Sequence, residues 1–185
     1  MYSGNILFNG RNILGLPPHA VTRLGIAYLP QVDSVFANLK VKENLLMASY
    51  TLSRDEAKER AREVLEDFPV LKEYMGRRAG TLSGGERQML AMAMAMTRRP
   101  QIMLFDEPTG SLAPKMAIEV LNKIVELRDN YGMTLVLAEQ NARWALEHGD
   151  EAILLVSGRV TYEGNSQELL KHPELGQVYL GVRKA

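Results

Sequence analysis

Short apolar runs alternate along this chain with stretches of helical period, and that layering predicts an α/β fold. Gly4 to Leu14 reads as a short hairpin, with Asn9-Gly10 as its turn signal. Residues 17–24 suit a short helix with Pro17 and Pro18 near its start. Ile26-Ala27-Tyr28-Leu29 is a short strand that stops at Pro30. A polar, helix-rich stretch follows from residue 40 to residue 80. Its best segment starts at Ser53, with Glu56 three residues later, a capping box in which hydroxyl and carboxylate satisfy orphan backbone donors. Behind that box Ala57, Ala61, Val64, Leu65 and Phe68 share one helical face, and the charged opposite face reads as solvated.

From Gln101 the pattern changes. Ile102-Met103-Leu104-Phe105 is an apolar run ending in Asp106-Glu107. Pro114 starts a helix that Gly132 ends. Thr134 to Ala138 is a second apolar run and Ala152 to Val156 a third; Ser157-Gly158 and a fourth strand near Val160 to Tyr162 follow. Apolar strands separated by helices predict a parallel sheet buried on both faces. Ala91 to Met96 alternates Ala and Met and reads as one buried helix, not a Met-rich binding surface.

Composition narrows the field. The 185 residues suit about one domain, and 46% apolar with 24% charged residues is a globular balance. Lys+Arg and Asp+Glu are both 22, so there is no basic excess to grip nucleic acid or an anionic membrane. Cysteine is absent, which excludes disulfides, Cys-zinc sites and thiol catalysis. His19, His148 and His172 are too far apart in sequence for a His-rich metal site. No uncharged run approaches the ~20 residues that span a bilayer. The opening Met1-Tyr2-Ser3-Gly4-Asn5 lacks a basic n-region and an apolar h-region. The expectation is a soluble, cytoplasmic protein.

Four constellations carry candidate chemistry. The first is Leu82-Ser83-Gly84-Gly85-Glu86, with Gln88 two residues on. Ser83 and Glu86 make an ordinary capping box. Two glycines in a first helical turn are not explained by capping, because each weakens a helix by roughly 1 kcal/mol relative to alanine. They let a ligand approach bare backbone, and a helix N-terminus attracts phosphate, so this is a candidate phosphate-contacting turn. The second is Asp106-Glu107 at the end of an apolar strand, the edge where α/β sheets bind ligands. Asp106 could hold Mg²⁺ and Glu107 could orient or deprotonate water, although surface strands often end in acids. The third is Gln31, just past Leu29-Pro30, placed to reach a metal or a water. The fourth is Glu139-Gln140-Asn141 after the strand 134–138, where Asn141 could simply cap the next helix.

The order and spacing of these four resemble the ATP-binding subunit of ABC transporters. Gln31 matches the Q-loop, residues 82–86 the signature motif, and 102–107 the Walker B strand with its catalytic glutamate. Ser111-Leu112-Ala113 stands at the D-loop and Gln140 at the switch position. A narrower resemblance is to the second ATPase of branched-chain amino-acid importers. It rests on Gly15-Leu16-Pro17-Pro18-His19, Val35-Phe36, Leu39 to Leu45, Leu112-Ala113-Pro114, Glu139-Gln140-Asn141-Ala142 and Tyr179-Leu180-Gly181. Gln140 stands where the wider family has histidine and Ala113 where it has aspartate. Both departures are habitual in this subgroup. Related urea and short-amide importers share much of the pattern.

The resemblance implies an ABC-type nucleotide-binding domain with a parallel core sheet, a helical subdomain over 37–98, and the Walker B to C-terminal part of the core over 99–185. It implies ATP and Mg²⁺ as ligands, a second ATPase subunit and membrane-spanning permease subunits as partners, and a position on the inner face of the cell membrane. Gln31 would sense Mg²⁺ and the attacking water, and Asp106 would organise the metal. Glu107 would polarise water. Ser83, Gly84 and Gly85, with Glu86, would bind the γ-phosphate of a partner's ATP, and Gln140 would contact a γ-phosphate where histidine normally does. Residues 32–45 would face the permease, though Val35, Phe36 and Leu39 could equally be core. Charge reversal at Asp33 and Lys40 would then uncouple transport. A soluble ABC ATPase of DNA repair or translation fits less well, given zero net charge and no coiled coil.

The family's P-loop, G-x-x-x-x-G-K-[ST], is absent, since no glycine here is followed by lysine. Gly80 to Gly85 has the glycine spacing but continues Glu86-Arg87, and a glutamate there would repel phosphate. The expectation is a family domain lacking its N-terminal part, in which the Walker B strand loses a neighbour and apolar faces lose cover. Two roles follow: an inactive piece of an importer ATPase, or a non-catalytic half of an asymmetric dimer that completes a partner's site.

Overall fold

The computed structural model describes residues 4–32 and 34–172. One compact unit runs to Ala138 and a second begins at Glu139. The first unit opens with the hairpin of β1 (Leu7–Phe8) and β2 (Arg11–Asn12), whose turn residues Asn9 and Gly10 both take positive φ, 49° and 76°. Helix α1 (Pro18–Arg23) starts at a proline, whose missing N–H would be unsatisfied there in any case. Next come β3 (Ile26–Leu29), α2 (Val41–Ala48), α3 (Arg54–Asp67) and α4 (Val70–Tyr74). A 3₁₀ turn over Ala79–Thr81 leads into α5 (Gly84–Met96). The unit closes with β4 (Ile102–Asp106), α6 (Pro114–Tyr131) and β5 (Thr134–Ala138). Gly132 ends α6 in the left-handed conformation, φ 61°, its N–H bonded to the Arg128 carbonyl.

Among the described residues the core sheet has three parallel strands in the order β3-β4-β5. Tyr28, Leu104 and Val136 stand in register on one face. Ala27, Met103 and Leu135 stand on the other, followed by Leu29, Phe105 and Leu137. The two faces differ. Met103 and Phe105 are buried, whereas Tyr28 is 61% and Val136 48% exposed. The sheet is therefore covered on one side, not on both as apolar strands lead one to expect. The expectation that the Walker B strand would lack a neighbour is also corrected. That strand, β4, is paired on both sides, and the open edges belong to β3 and β5.

Helix α5 covers the buried face. It packs on β3 and on α2, α3, α4 and α6. Leu90, Ala91, Met92, Ala93 and Met96 are buried, so the Ala/Met segment is a core helix as its sequence predicts. Helix α3 has the expected capping box, Ser53 with Glu56, and buries Val64 ahead of Phe68.

The second unit holds α7 (Ala142–His148), β6 (Glu151–Val156), β7 (Arg159–Asn165) and α8 (Ser166–Lys171). β6 does not join the parallel sheet. It pairs antiparallel with β7 across Ser157-Gly158, both at positive φ, which is the twist a two-residue hairpin turn needs. α8 packs on this hairpin and on α7, burying Leu169 and Leu146. Asn141 caps α7, accepting from Trp144 N–H at 3.4 Å.

One-sided burial predicts one-sided sensitivity. Met103→Ala should lower stability by about 2–5 kcal/mol, and Val136→Ala by no more than ~0.5 kcal/mol. Urea midpoints of the two variants check this directly.

Candidate functional site

β4 delivers its two acids in unlike ways. Asp106 is the last strand residue and accepts from the Tyr28 hydroxyl of β3 at 3.1 Å. That bond raises the Tyr28 phenol above its ordinary 10.0, with burial and the Asp106 charge acting the same way. Glu107 leaves the strand with φ 45°, in the left-handed region. A non-glycine residue there carries strain of about 1–3 kcal/mol, and such strain gathers at functional sites. Two backbone bonds hold it: Glu107 N–H to the Ala138 carbonyl at 2.9 Å, and Gly110 N–H to the Glu107 carbonyl at 3.1 Å. The kink turns the carboxylate to Gln31, whose Nε2 donates to Glu107 Oε2 at 2.9 Å. Gly110 makes room, since a Cβ there would lie 2.9 Å from that Nε2.

The Ser83 turn is the second centre. Ser83 Oγ accepts from Glu86 N–H at 3.3 Å, and Glu86 Oε2 accepts from Ser83 N–H at 2.7 Å. The first amides of α5, on Gly84 and Gly85, have no partner within a helix. The glycines also have a packing reason. A Cβ on Gly84 would lie 2.7 Å from Leu112 Cδ2, and one on Gly85 3.5 Å from Met116 Cβ and closer still to its terminal methyl. The segment that begins at Glu107 thus packs against the Ser83 turn at Leu112 and Met116. The Glu86 carboxylate sits below its ordinary 4.5, chiefly through the Ser83 N–H. The Tyr74 hydroxyl and Arg77 add to this, and partial burial opposes it.

The structure thus joins Gln31 to Glu107, and Asp106 to Tyr28. It keeps Ser83, Gly84, Gly85 and Glu86 as a turn of the same unit. Gln140 belongs to the second unit, where its N–H donates to Glu139 Oε2 at 3.1 Å. Val35 and Leu39 are half-buried and Phe36 is 51% exposed, so none of the three is core. Asp33 and Tyr179-Leu180-Gly181 lie outside the described residues. Sequence reasoning missed Tyr28, Tyr74 and Gly110. Parity along β3 would have put Tyr28 on the face of Asp106 had the register been known. Tyr74 and Gly110 carry no such signal.

A family model described as ABC transporter matches residues 1–110. The chain belongs to the ABC transporter family. It is 50% identical over 182 residues to an Archaeoglobus fulgidus protein named as the probable branched-chain amino acid transport ATP-binding protein LivF, spanning 98% of this chain and 77% of that one. The corresponding figures are 40%, 97% and 76% for the Pseudomonas aeruginosa high-affinity branched-chain amino acid transport ATP-binding protein BraG. The lipopolysaccharide export ATP-binding protein LptB of Escherichia coli is 35% identical, over 97% of this chain and 75% of its own. The solved ADP conformation of an ABC transporter's ATP-binding cassette shares the fold with a TM-score of 0.81 at 24% identity, covering 97% of this chain and 78% of that one.

Within this ABC fold the oxygen donors suit a hard cation. Among the described residues no group of three His, Asp or Glu side chains could cage a metal. Mg²⁺ shared with phosphate needs only one or two carboxylates from the protein, and Asp106 at the carboxyl end of β4 offers one.

Glu86 sets a pH dependence. A carboxylate depressed by folding adds stability that is fully present above 4.5 and is lost as pH falls through the depressed value. Glu86→Gln should therefore destabilise the chain at neutral pH, and its gap from the wild type should narrow as pH falls below 4.5. Urea titrations at neutral pH and below 4.5 check the sign.

Proposed function

We propose that this chain is an ATP-binding subunit of an importer for branched-chain amino acids and that its Ser83 turn completes an ATP site on a partner subunit. The observation that carries the chemistry is the Gln31–Glu107 hydrogen bond at the carboxyl edge of a parallel sheet, built on a strained glutamate. The substrate class rests on the 50% and 40% identities to the two branched-chain amino acid relatives.

In this reading Glu107 takes the proton of, or orients, the attacking water, and Gln31 fixes that carboxylate. With its Nε2 engaged, Gln31 presents its Oε1 as the acceptor side. Asp106 and Gln31 would hold Mg²⁺, which would supply charge neutralisation at the phosphates. Ser83 and the amides of Gly84 and Gly85 meet the γ-phosphate of the partner's ATP, and Glu86 keeps that turn closed. Gln140, in the second unit, contacts a γ-phosphate in the place of the family's histidine. Residues 37–98 form the helical subdomain, and 99–138 continue the core of the first unit. The loop 32–45 faces the permease subunits. Val32 at 65% and Phe36 at 51% exposure, with Leu46, Met47 and Tyr50 on and just past α2, give it an apolar surface. The working place is the inner face of the cell membrane.

A second reading is the non-catalytic half of an asymmetric dimer, which needs only the closed Ser83 turn and its glycine amides. Both readings place the contribution of that turn in trans.

The test mixes the chain with an ABC ATPase subunit that carries a P-loop. ATP should drive their association, and Ser83→Arg should abolish it. If Glu107 acts in the mixed site, Glu107→Gln should slow turnover there by about 10²–10⁴-fold. Unchanged turnover would leave the non-catalytic half. Glu107-dependent turnover by the chain alone would overturn the action in trans.

A further inference from the structure

Asn44 is fully buried on α2 and is not part of either chemical centre. Its Oδ1 accepts from Phe36 N–H at 2.8 Å. Its Nδ2 donates to the Phe36 carbonyl at 3.1 Å, the Lys40 carbonyl at 3.0 Å and, longer, the Leu39 carbonyl at 3.4 Å. One side-chain amide thus satisfies both polar groups of Phe36 and closes the loop 36–40 onto α2. A buried amide with every partner in place specifies one geometry, because any other leaves it unsatisfied.

The other side of this loop is tied to the chain entering the Ser83 turn. Gly80 N–H donates to the Ala37 carbonyl at 2.8 Å and Ala79 N–H to the Leu39 carbonyl at 2.9 Å. Lys40 and Arg78 form an antiparallel bridge, and Val41 N–H donates to the Arg77 carbonyl at 3.0 Å. The approach is close: a Cβ on Gly80 would lie 3.0 Å from the Ala37 oxygen. Three residues after Gly80 comes Ser83.

We propose that Asn44 is a positioning residue that makes the loop 36–40, the rungs at 79–80 and the Ser83 turn one mechanical piece, so that a displacement imposed at exposed Phe36 reaches Ser83. The functional half of this rests on the docking reading of residues 32–45; the mechanical half does not. The amide is the part that matters. Without it the loop keeps its rungs to 79–80 but loses its anchor on α2, and a push on Phe36 bends the loop instead of moving the turn.

Amide hydrogen exchange of the full chain tests the mechanical half. In Asn44→Ala the amides of Phe36, Ala79 and Gly80 should exchange about tenfold faster. In Asn44→Asp, which keeps an acceptor for Phe36 N–H but loses the donors and sets a carboxylate against the Phe36, Leu39 and Lys40 carbonyls, Ala79 and Gly80 should speed up at least as much as in Asn44→Ala. If Asn44→Ala does not fold, the smaller polar change Asn44→Ser carries the measurement. Unchanged rates at Ala79 and Gly80 in a folded variant overturn the proposal. In the assembled transporter both variants should keep basal ATP turnover and lose stimulation by the permease subunits about fivefold. Phe36→Asp separates the two ideas. Stimulation that survives it removes the docking reading and leaves exchange to decide the mechanical link. Stimulation lost in Phe36→Asp but kept in both Asn44 variants overturns the positioning role.

Discussion

Everything in the first unit depends on burying α5. Its Ala91, Met92, Ala93 and Met96 present small and flexible side chains by turns, so neighbours can come close without leaving voids. Helices α2, α3, α4 and α6 and strand β3 all pack on it. The helix that fills the core also starts at Ser83. Its N-terminus is placed by packing along its whole length, and the Ser83–Glu86 box then fixes the last turn. A site placed by a core helix is held more firmly than one placed by a loop. In the proposed function that firmness suits a turn that serves another chain.

Glu107 shows how the sheet contributes. Strand β4 sits between two parallel neighbours, so its backbone cannot shift without breaking both ladders. That security is what allows the next residue to stay at positive φ. The Ala138 carbonyl at the end of β5 takes the Glu107 N–H, and the strain is held by pairing. Relaxing Glu107 to a common conformation would swing its carboxylate away from Gln31.

Much of this was legible in the sequence, and the reasons differ by element. The hairpin at Asn9-Gly10, the caps at Ser53, Ser83 and Asn141, and the Pro114-to-Gly132 helix are set by local chemistry, which a sequence displays. The family followed from the order of Gln31, LSGGE and FDEP. Four things were not legible. Apolar runs do not name their neighbours, so β6 was expected beside the parallel strands and lies against β7. Burial of one face depends on what packs there, and alternation cannot report it. The Tyr28–Asp106 bond joins residues 78 apart and needs the register of β3 against β4. Asn44 was hidden for another reason: an asparagine in a polar stretch reads as surface until its partners are known.

The two glycines of the Ser83 turn show why a motif can have two causes at once. Each costs about 1 kcal/mol of helix propensity, and phosphate access alone would be reason enough for them. Yet Leu112 and Met116 occupy the space where their side chains would stand. Leu112 and Met116 lie five and nine residues beyond Glu107 in sequence. A side chain on Gly85 would therefore push on α6 and on the segment leading back to the glutamate, as well as on a ligand. The packing reason binds the two chemical centres of this unit into one arrangement. In the proposed function the phosphate needs that arrangement to be right, so neither explanation displaces the other and the same missing Cβ serves both.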